Sequence, residues 1–271
     1  MSIYAQNADR FANVEVTATP VTEGIYMLQG AGGNIAASIG SDGTLIVDDQ
    51  FAPLGDKIIA SLKSVGGSTP RMVVNTHWHG DHTGSNPQMG EQATIVSHDN
   101  VRVRLAGIED YPRTGLPLVT YSDALTLHFN DQTIALLHLP AGHTDGDSAV
   151  WFKQANVIHM GDHFFVRRFP YVDAGSGGTI QGFISNVRNV LAKVPEDIQI
   201  IPGHGPLAST QDLSETIAVV ESTANEIMTR SANGEDDAAI ANWLDNNYPT
   251  WGSGFINAQR WVQIVKSATA K

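Results

Sequence analysis

The sequence predicts an α/β fold in which two β-α halves form a sandwich with helices outside (αββα), as a single domain over residues 1–271. Three observations lead to this prediction. Short apolar segments with Gly or Pro between them are followed by segments with helical spacing, this order occurs twice, and no linker-like stretch separates the halves. A chain of 271 residues is also long enough to bury a substantial core.

The first half is rich in predicted strands. Four short apolar segments bounded by Gly or Pro predict strands at Val14–Ala18, Gly24–Gln29, Asn34–Ile39 and Thr44–Asp48. A helix is expected next, because Ile58, Ile59 and Leu62 share one helical face. The remaining elements are a helix at Pro53–Val65, strands at Arg71–Thr76 and Thr94–Val96, and a helix at Asp99–Leu105.

The second half repeats this plan. Its predicted strands are Leu125–Phe129, Thr133–Leu139, Ser148–Phe152, Asn156–His159 and Ile198–Ile201. Its predicted helices are Thr179–Lys193, Thr210–Arg230, Asp236–Asn246 and Gly254–Ser267. In the last helix, four residues at helical spacing predict a packing face: Phe255, Ala258, Val262 and Val265.

Composition narrows the classes of function. The chain has 16 Lys and Arg against 28 Asp and Glu, a formal charge of −12, which argues against nucleic acid as a partner. It has no cysteine, which excludes disulfides, thiolate zinc ligands and thiol nucleophiles. No run of about 18 apolar residues is present, so no membrane-spanning helix is expected.

The first residues, Met1–Asn7, lack the charged and apolar parts of a secretory signal. Two interpretations stay open: an uncleaved cytoplasmic protein, and a trimmed mature periplasmic form behind an added Met. The oligomeric state is also left open by the sequence.

The segment His77–His82 places four potential metal ligands within six residues, directly after a predicted buried strand. Imidazole and carboxylate groups without sulfur suit zinc or another first-row divalent ion. Because alternate side chains of an extended backbone point the same way, His77 and His79 form one pair, and Asp81 and His82 follow as the chain turns. Two pairs indicate two metals. The alternative is a surface histidine cluster without metal.

Three further segments place a potential ligand beside glycine where a predicted strand ends. Glycine permits backbone conformations in tight turns that a β-carbon would disfavour. Single histidines after strands are usually structural, but three such turns downstream of the first cluster indicate a shared site. The ligand candidates in these turns are His143, Asp162 and His204.

Together these motifs resemble the metallo-β-lactamase superfamily, over roughly Val21 to Pro206. In chain order, a strand that ends at Asp49 is followed by the HxHxDH motif, an isolated His, a Gly-Asp pair and a Pro-Gly-His-Gly motif. The superfamily has its motifs in the same order. The resemblance implies a site for two zinc ions, with Asp162 as the bridge between them. It assigns His77, His79 and His143 to the first metal, and Asp81, His82 and His204 to the second.

The chemistry implied by this resemblance is metal-assisted hydrolysis of a small-molecule substrate. Two metals would lower the pKa of a shared water towards ~7, and the resulting hydroxide would attack a carbonyl. Asp81 would orient this nucleophile and carry its proton. The leading expectation is cleavage of a cyclic amide of the β-lactam type or a similar small acyl substrate.

The residue at position 162 departs from many lactamases of this superfamily, in which a cysteine lies on the second metal. Asp162 is typical of glyoxalase II-like thioesterases and lactonases, which form the alternative. A non-catalytic metal-binding protein of the same fold is a third hypothesis. Iron in the same ligands is conceivable, but the histidine-rich set does not favour it.

Other polar residues near these motifs have predicted structural roles. We expect His163 to contact a ligand or to pack, and five other side chains to lie outside the ligand set or to pack: His98, His128, His138, His159 and Trp78. Asp145 and Asp147 would either orient ligand imidazoles or cap their turn.

Two segments could border the site. The Gly-rich segment Gly30–Asn34 is interpreted as a flexible flap or a plain turn, not as a phosphate cradle, because no Lys-Ser/Thr follows it. The aromatic and arginine residues of Phe164–Gly178 would suit an apolar substrate with a carboxylate. An ordinary surface loop packed by its own aromatics is the alternative.

Overall fold

The computed structural model describes residues 8–269, which form an α/β structure with two β-sheets. The prediction that a secretory signal is absent concerns Met1–Asn7, and this segment lies outside the described residues. No helix within residues 8–269 is both long and apolar enough to cross a membrane.

The first sheet has seven strands that lie side by side in chain order. Strands β1 to β4 are antiparallel, and β4 to β7 are parallel. Its strands are β1 (Thr17–Thr22), β2 (Ile25–Gln29), β3 (Ile35–Gly40), β4 (Gly43–Val47), β5 (Met72–Val74), β6 (Thr94–His98) and β7 (Val119–Tyr121).

The second sheet has five strands in the order β12-β11-β10-β9-β8. Neighbours are antiparallel except β11 and β12, which are parallel. Its strands are β8 (Ala124–Phe129), β9 (Gln132–Leu139), β10 (Asp147–Phe152), β11 (Val157–His159) and β12 (Gln199–Ile201).

Helices connect the strands and follow the second sheet. They are α1 (Ala8–Phe11), α2 (Gly55–Ser64), α3 (Gly80–Thr83), α4 (Asn86–Met89), α5 (Asp99–Ala106), α6 (Ile180–Leu191), α7 (Thr210–Ala232), α8 (Asp237–Asn247) and α9 (Ala258–Thr269). Helix α7 begins with a capping box, in which Ser209 and Asp212 satisfy each other's backbone N–H groups.

Alternate residues of the strands enter different core layers, as the pleat requires. In β4, Leu45 and Val47 face a core shared with Val150 and Phe152 of the second sheet, whereas Ile46 packs towards α2. The outer face of the second sheet packs against α6 to α9. The layers are therefore helix, sheet, sheet and helix, which confirms the predicted αββα fold. The single domain stays a prediction, and the shared core supports it.

The first strand lies later in the chain than predicted. The segment Val14–Ala18 was expected to end before Pro20, but β1 continues through this proline. Because β1 is an edge strand with a register shift between Pro20 and Thr22, the missing N–H of proline costs no ladder hydrogen bond in the sheet interior. Strand β7 was not predicted.

The last helix, α9, begins four residues later than predicted. The side chain of Asn257 accepts a hydrogen bond from the backbone N–H of Arg260 and so caps the helix start. Phe255 therefore precedes the helix and is 78% exposed, so its predicted place on the packing face is wrong. Ala258, Val262 and Val265 are buried, as predicted.

Candidate metal centre

The predicted ligands follow strands of both sheets. His77 lies three residues after β5, His143 follows β9, Asp162 follows β11 and His204 follows β12. Strands β5, β11 and β12 each belong to a parallel pair, and the carboxyl ends of parallel strands meet at one edge of a sheet. The packing of the two sheets thus brings together four loops that are distant in the sequence.

Four residues form the first ligand group: His77, His79, His143 and Asp162. His143 Nε2 lies 2.9 Å from His79 Nδ1. Asp162 Oδ2 lies 3.5 Å from His143 Nε2 and 3.7 Å from His77 Nε2. One ligand atom from each residue therefore faces a common point.

Asp81, His82 and His204 form the second ligand group. Asp81 Oδ2 lies 3.4 Å from His204 Nε2 and 3.7 Å from His82 Nε2. The other oxygen of Asp162, Oδ1, is 3.1 Å from His82 Nε2 and 3.3 Å from His204 Nε2. The two oxygens of one carboxylate thus face the two groups.

Outer hydrogen bonds orient the imidazoles. His79 Nε2 is 3.0 Å from Asp173 Oδ2, and His82 Nδ1 is 2.7 Å from Asp48 Oδ2. His143 Nδ1 is 2.6 Å from the backbone oxygen of Tyr171. Because each acceptor requires an N–H on the outer nitrogen, the inner nitrogen of a neutral ring is left with a free lone pair for a metal.

The orientation of His77 depends on Thr76. The hydroxyl of Thr76 donates to Asp48 Oδ2 at 2.7 Å, so its oxygen is free to accept from His77 Nδ1 at 3.0 Å. Asp48 also accepts the backbone N–H of Thr76 and is fully buried. One carboxylate therefore holds a ligand of each group.

The inner atoms fit a metal pair. His77 Nε2, His82 Nε2 and Asp162 Oδ1 are buried and have no hydrogen-bond partner among the described residues. When both rings are neutral and donate outward, the facing nitrogens of His79 and His143 present lone pairs to each other at 2.9 Å, an arrangement that a shared cation would stabilise. Unpaired buried polar atoms are costly, and nitrogen and carboxylate donors are the ligands that zinc accepts.

The charges of the centre are consistent with this fit. Burial lowers the pKa of His143 to about 3 and, together with the charge of His82, the pKa of His77 to well below its ordinary value. Burial would raise the pKa of Asp162, but the charges of the surrounding histidines lower it overall. At neutral pH His77 and His143 are therefore neutral and Asp162 is ionised, the forms that bind metals. Burial would lower the pKa of His82, but the neighbouring carboxylates, that of Asp162 first, raise it overall.

Asp48 also lies near His77 and His82 in a third grouping of potential ligands. Its carboxylate, however, meets the Nδ1 side of His82, whereas Nε2 of that ring faces Asp162. Since one imidazole binds one metal through one nitrogen while the other N–H is held, Asp48 is a positioning residue for His82.

The Gly-rich segment Gly30–Asn34, interpreted as a flexible flap or a plain turn, connects β2 to β3 and packs directly on the ligands. A β-carbon on Gly33 would collide with the ring of His82. The backbone N–H of Gly33 donates to the carbonyl of Asp81, and Asn34 donates to the carbonyls of Pro202 and Gly205. The segment therefore ties the loop of Asp81 to the loop of His204.

The other histidines belong to neither ligand group. The ring of His163 stacks on Phe183 and accepts a hydrogen bond from Asn186. His159 Nε2 donates to the backbone oxygen of Asn34. His98 and His138 stack on each other with ring centroids 3.8 Å apart. These positions agree with the structural roles predicted for them.

Asp145 and Asp147 do not orient ligand imidazoles. Asp145 forms an ion pair with Arg104, with Oδ2 2.6 Å from Nη2. Asp147 accepts hydrogen bonds from the backbone N–H and the hydroxyl of Thr144, so it caps the turn after His143. The alternative of a turn cap is correct for Asp147.

Burial of Asp147 predicts a pH-dependent stability. Burial raises its pKa from 3.8 to about 7, although the hydrogen bonds from Thr144 oppose this. Because the folded-state pKa exceeds the unfolded value, its contribution to stability is present below pH ~4 and is lost as the pH rises through ~7. Relative to Asp147→Asn, the wild-type free energy of unfolding should fall by a few kcal/mol at most over this range, at about 1.4 kcal/mol per pKa unit.

Urea unfolding of metal-free protein at pH 5 and pH 8 measures this difference, because chelation removes the separate pH dependence of metal binding. An equal pH dependence of both proteins would show that Asp147 does not titrate over this range.

A cavity of about 460 Å³ opens beside the ligands and is called the metal-side cavity here. His79, Asp81, Asp162 and His204 lie in its wall. The rest of its lining is largely aromatic or cationic: Phe51, Phe165, Phe169, Tyr171, Phe255, Arg10 and Arg168. Its volume lies within the usual range of small-molecule sites, roughly 300–1,000 Å³.

The loop Phe164–Gly178 contributes to the core and also borders the ligands, whereas its predicted contact with a substrate stays a prediction. Phe164 and Phe169 are buried in the core, while the ring of Phe165 stacks on His204 at 5.0 Å. Tyr171 and Asp173 hold two ligands from outside. The two arginines differ, because Arg167 faces Asp212 and Glu215, whereas Arg168 lines the cavity.

Comparison with known proteins agrees with the predicted superfamily and fold. Residues 39–204 match the family profile of the metallo-beta-lactamase superfamily. A solved metallo-beta-lactamase from Pontibacter korlensis has a similar structure, with a TM-score of 0.66, 16% identity, and coverage of 76% of this chain and 99% of that one. At this identity the structural similarity concerns the fold alone.

Two curated relatives differ in their named activities. The metallo-beta-lactamase type 2 of Bacteroides fragilis is 21% identical, over 66% of this chain and 75% of its own length. A hydroxyacylglutathione hydrolase of Methylococcus capsulatus is 28% identical, over 56% of this chain and 52% of its own length. The match thus spans between half and three quarters of the length of these relatives.

Proposed function

This chain belongs to the metallo-beta-lactamase superfamily, and from that premise we propose that it is a dinuclear zinc hydrolase of small acyl substrates. His77, His79 and His143 would hold one metal, and Asp81, His82 and His204 the other. The observation that carries the proposal is the position of Asp162, whose two oxygens face the two ligand groups. A bridging carboxylate needs this arrangement.

Zinc is proposed because of the donor set. Five imidazoles and two carboxylates supply only nitrogen and oxygen, and the chain has no thiolate to offer. A histidine-rich set of this kind suits zinc better than magnesium or calcium, which prefer oxygen ligands.

A metal pair in this centre would supply an activated water and would polarise the carbonyl of the substrate. The protein's own part is positioning. The carboxylate of Asp81 lies in the cavity wall and remains partly exposed, so it can orient the attacking water and take its proton. The aromatic side chains of the metal-side cavity exclude other water from the reacting bond.

The lining of the metal-side cavity favours an apolar substrate with an anionic group. Arg168 and Arg10 line it, and Arg260 lies near its rim, with its guanidinium 4.5 Å from the ring centre of Phe255. Arginines in a chain with a net charge of −12 provide a local cationic border. A carboxylate on the substrate would pair with such a group.

The leading substrate class is a cyclic amide of the β-lactam type. The cavity is open enough for a compact ring, and its arginines suit the carboxylate of such a ring. Similarity to the named lactamase of Bacteroides fragilis supports this assignment.

A thioester or lactone substrate is the second candidate. A specific observation favours it, because a carboxylate and not a thiolate occupies position 162. The similarity to the hydroxyacylglutathione hydrolase of Methylococcus capsulatus points the same way.

Parallel assays with a chromogenic cephalosporin, an S-acyl glutathione and an acyl-homoserine lactone test the proposal, with zinc content measured on the same sample. We expect two zinc ions per chain and hydrolysis of one substrate class, abolished by chelation and restored by zinc. Turnover of the glutathione thioester or the lactone alone would replace the cyclic-amide assignment. Two bound zinc ions without any turnover would instead indicate a non-catalytic metal-binding protein.

A further inference from the structure

A second cavity of about 260 Å³ lies next to the metal-side cavity and is called the side pocket here. Its walls include Phe11, Pro53, Trp78, Leu105 and Ile108. No charged side chain of the described residues lines it, in contrast to the metal-side cavity with its arginines and carboxylates. The side pocket is therefore suited to an apolar group.

Phe51 and Gly80 line both cavities, so they form the boundary between them. The ring of Phe51 packs at 5.0 Å from that of Phe11. Gly80 directly precedes Asp81 of the second ligand group. Because Gly80 is exposed and has no side chain, a substrate group that extends from the metal centre across its backbone would reach the side pocket. This route across Gly80 is called the passage here.

The backbone conformation at position 80 does not require glycine. Its φ is not positive, and a β-carbon placed on it would meet no heavy atom within 4 Å. It differs in this from Gly33, where a β-carbon would collide with His82. The missing side chain of Gly80 leaves space at the boundary of the two cavities.

We propose that the side pocket binds the apolar tail of the acyl substrate, and that Gly80 keeps the passage to it open. This inference rests on the proposed function and adds a substrate class: acyl compounds with an extended apolar chain. The occupant is part of the substrate and not a separate ligand, because the pocket adjoins the metal-side cavity and offers no charged partner of its own.

Binding of straight-chain carboxylates from acetate to octanoate to the zinc-loaded protein tests the proposal without turnover. These compounds resemble the acid product of acyl hydrolysis, and calorimetry gives their Kd. In the wild type we expect Kd to fall about fourfold for each methylene that enters the pocket, as burial of apolar surface requires.

Two variants should flatten this dependence. Gly80→Val would fill the passage, and Ile108→Trp would fill the pocket from a position that is 40% exposed and distant in sequence from the ligands. We expect less than about a twofold gain per methylene in each, with zinc content unchanged. Ala60→Val adds apolar bulk at an exposed position of α2 that lines neither cavity, and should retain the wild-type dependence.

A wild-type Kd that does not change with chain length, or an unchanged dependence in Ile108→Trp, would overturn the side pocket as a binding site. These outcomes are independent of the substrate assays. Hydrolysis of a short acyl substrate together with a flat chain-length series would reject this inference alone. A steep series in a protein without any turnover would reject the hydrolase and retain the pocket.

Discussion

Asp162→Asn is expected to bind at most one zinc ion per chain and to lose more than about 100-fold of the hydrolytic activity. The side chain is 5% exposed, and asparagine matches its volume. One amide oxygen can still face one ligand group, but the NH₂ that replaces the other oxygen cannot bind a metal. The loss should exceed the 10–100-fold typical of changes to outer hydrogen-bond partners.

Asp145→Asn is the matched control for this substitution. Asp145 is also a carboxylate beside the loop of His143, but it pairs with Arg104 and belongs to neither ligand group. The control should retain two zinc ions and the wild-type activity. Metal analysis and the substrate assays on both variants decide the matter, and two bound zinc ions in Asp162→Asn would contradict the bridging role.

The seven potential ligands could be found in the sequence because their signals are local. His77, His79, Asp81 and His82 lie within six residues, and the other three stand beside glycine in turns after short apolar segments. Each turn follows an element that period-2 or buried-strand patterns predict. Their convergence into two groups depends on the packing of two sheets, which no single segment encodes.

The residues that hydrogen-bond to the ligands from outside were missed because their signals are not local in the sequence. Asp173 accepts a hydrogen bond from His79 across 94 residues of sequence. For Asp145 and Asp147, which lie near His143, this role was one of two predicted alternatives, the other being a cap of their turn. Asp48 directly precedes Asp49, which was predicted to end a strand, but no role was predicted for Asp48. The buried-strand pattern directly before Asp48 was the signal that could have indicated its place near the ligands.

Phe255 shows a limit of periodicity as a guide to structure. It falls in register with Ala258, Val262 and Val265, so a helical pattern alone includes it in the packing face. The side-chain cap by Asn257 starts the helix beyond it and leaves Phe255 at the mouth of the metal-side cavity. A side-chain cap can set the start of a helix through a single hydrogen bond. The spacing of apolar residues carries no information about such a hydrogen bond.

The double substitution His77→Ala/His79→Ala is expected to abolish binding in the first ligand group and, with it, hydrolysis. It removes two of the three imidazoles whose nitrogens face one point with Asp162. A carboxylate and one imidazole leave that metal with too few protein ligands for the three or four that zinc sites use. Zinc content should fall from two ions to at most one.

Removal of buried rings also destabilises a protein, so the control must remove equivalent atoms elsewhere. His98→Ala/His138→Ala deletes a second close pair of imidazoles, stacked 3.8 Å apart, of which His98 is 5% exposed. Neither belongs to a ligand group. The control should lose stability in urea unfolding but retain two zinc ions and activity. If His77→Ala/His79→Ala kept the zinc content and activity of this control, metal-assisted hydrolysis at this centre would be ruled out.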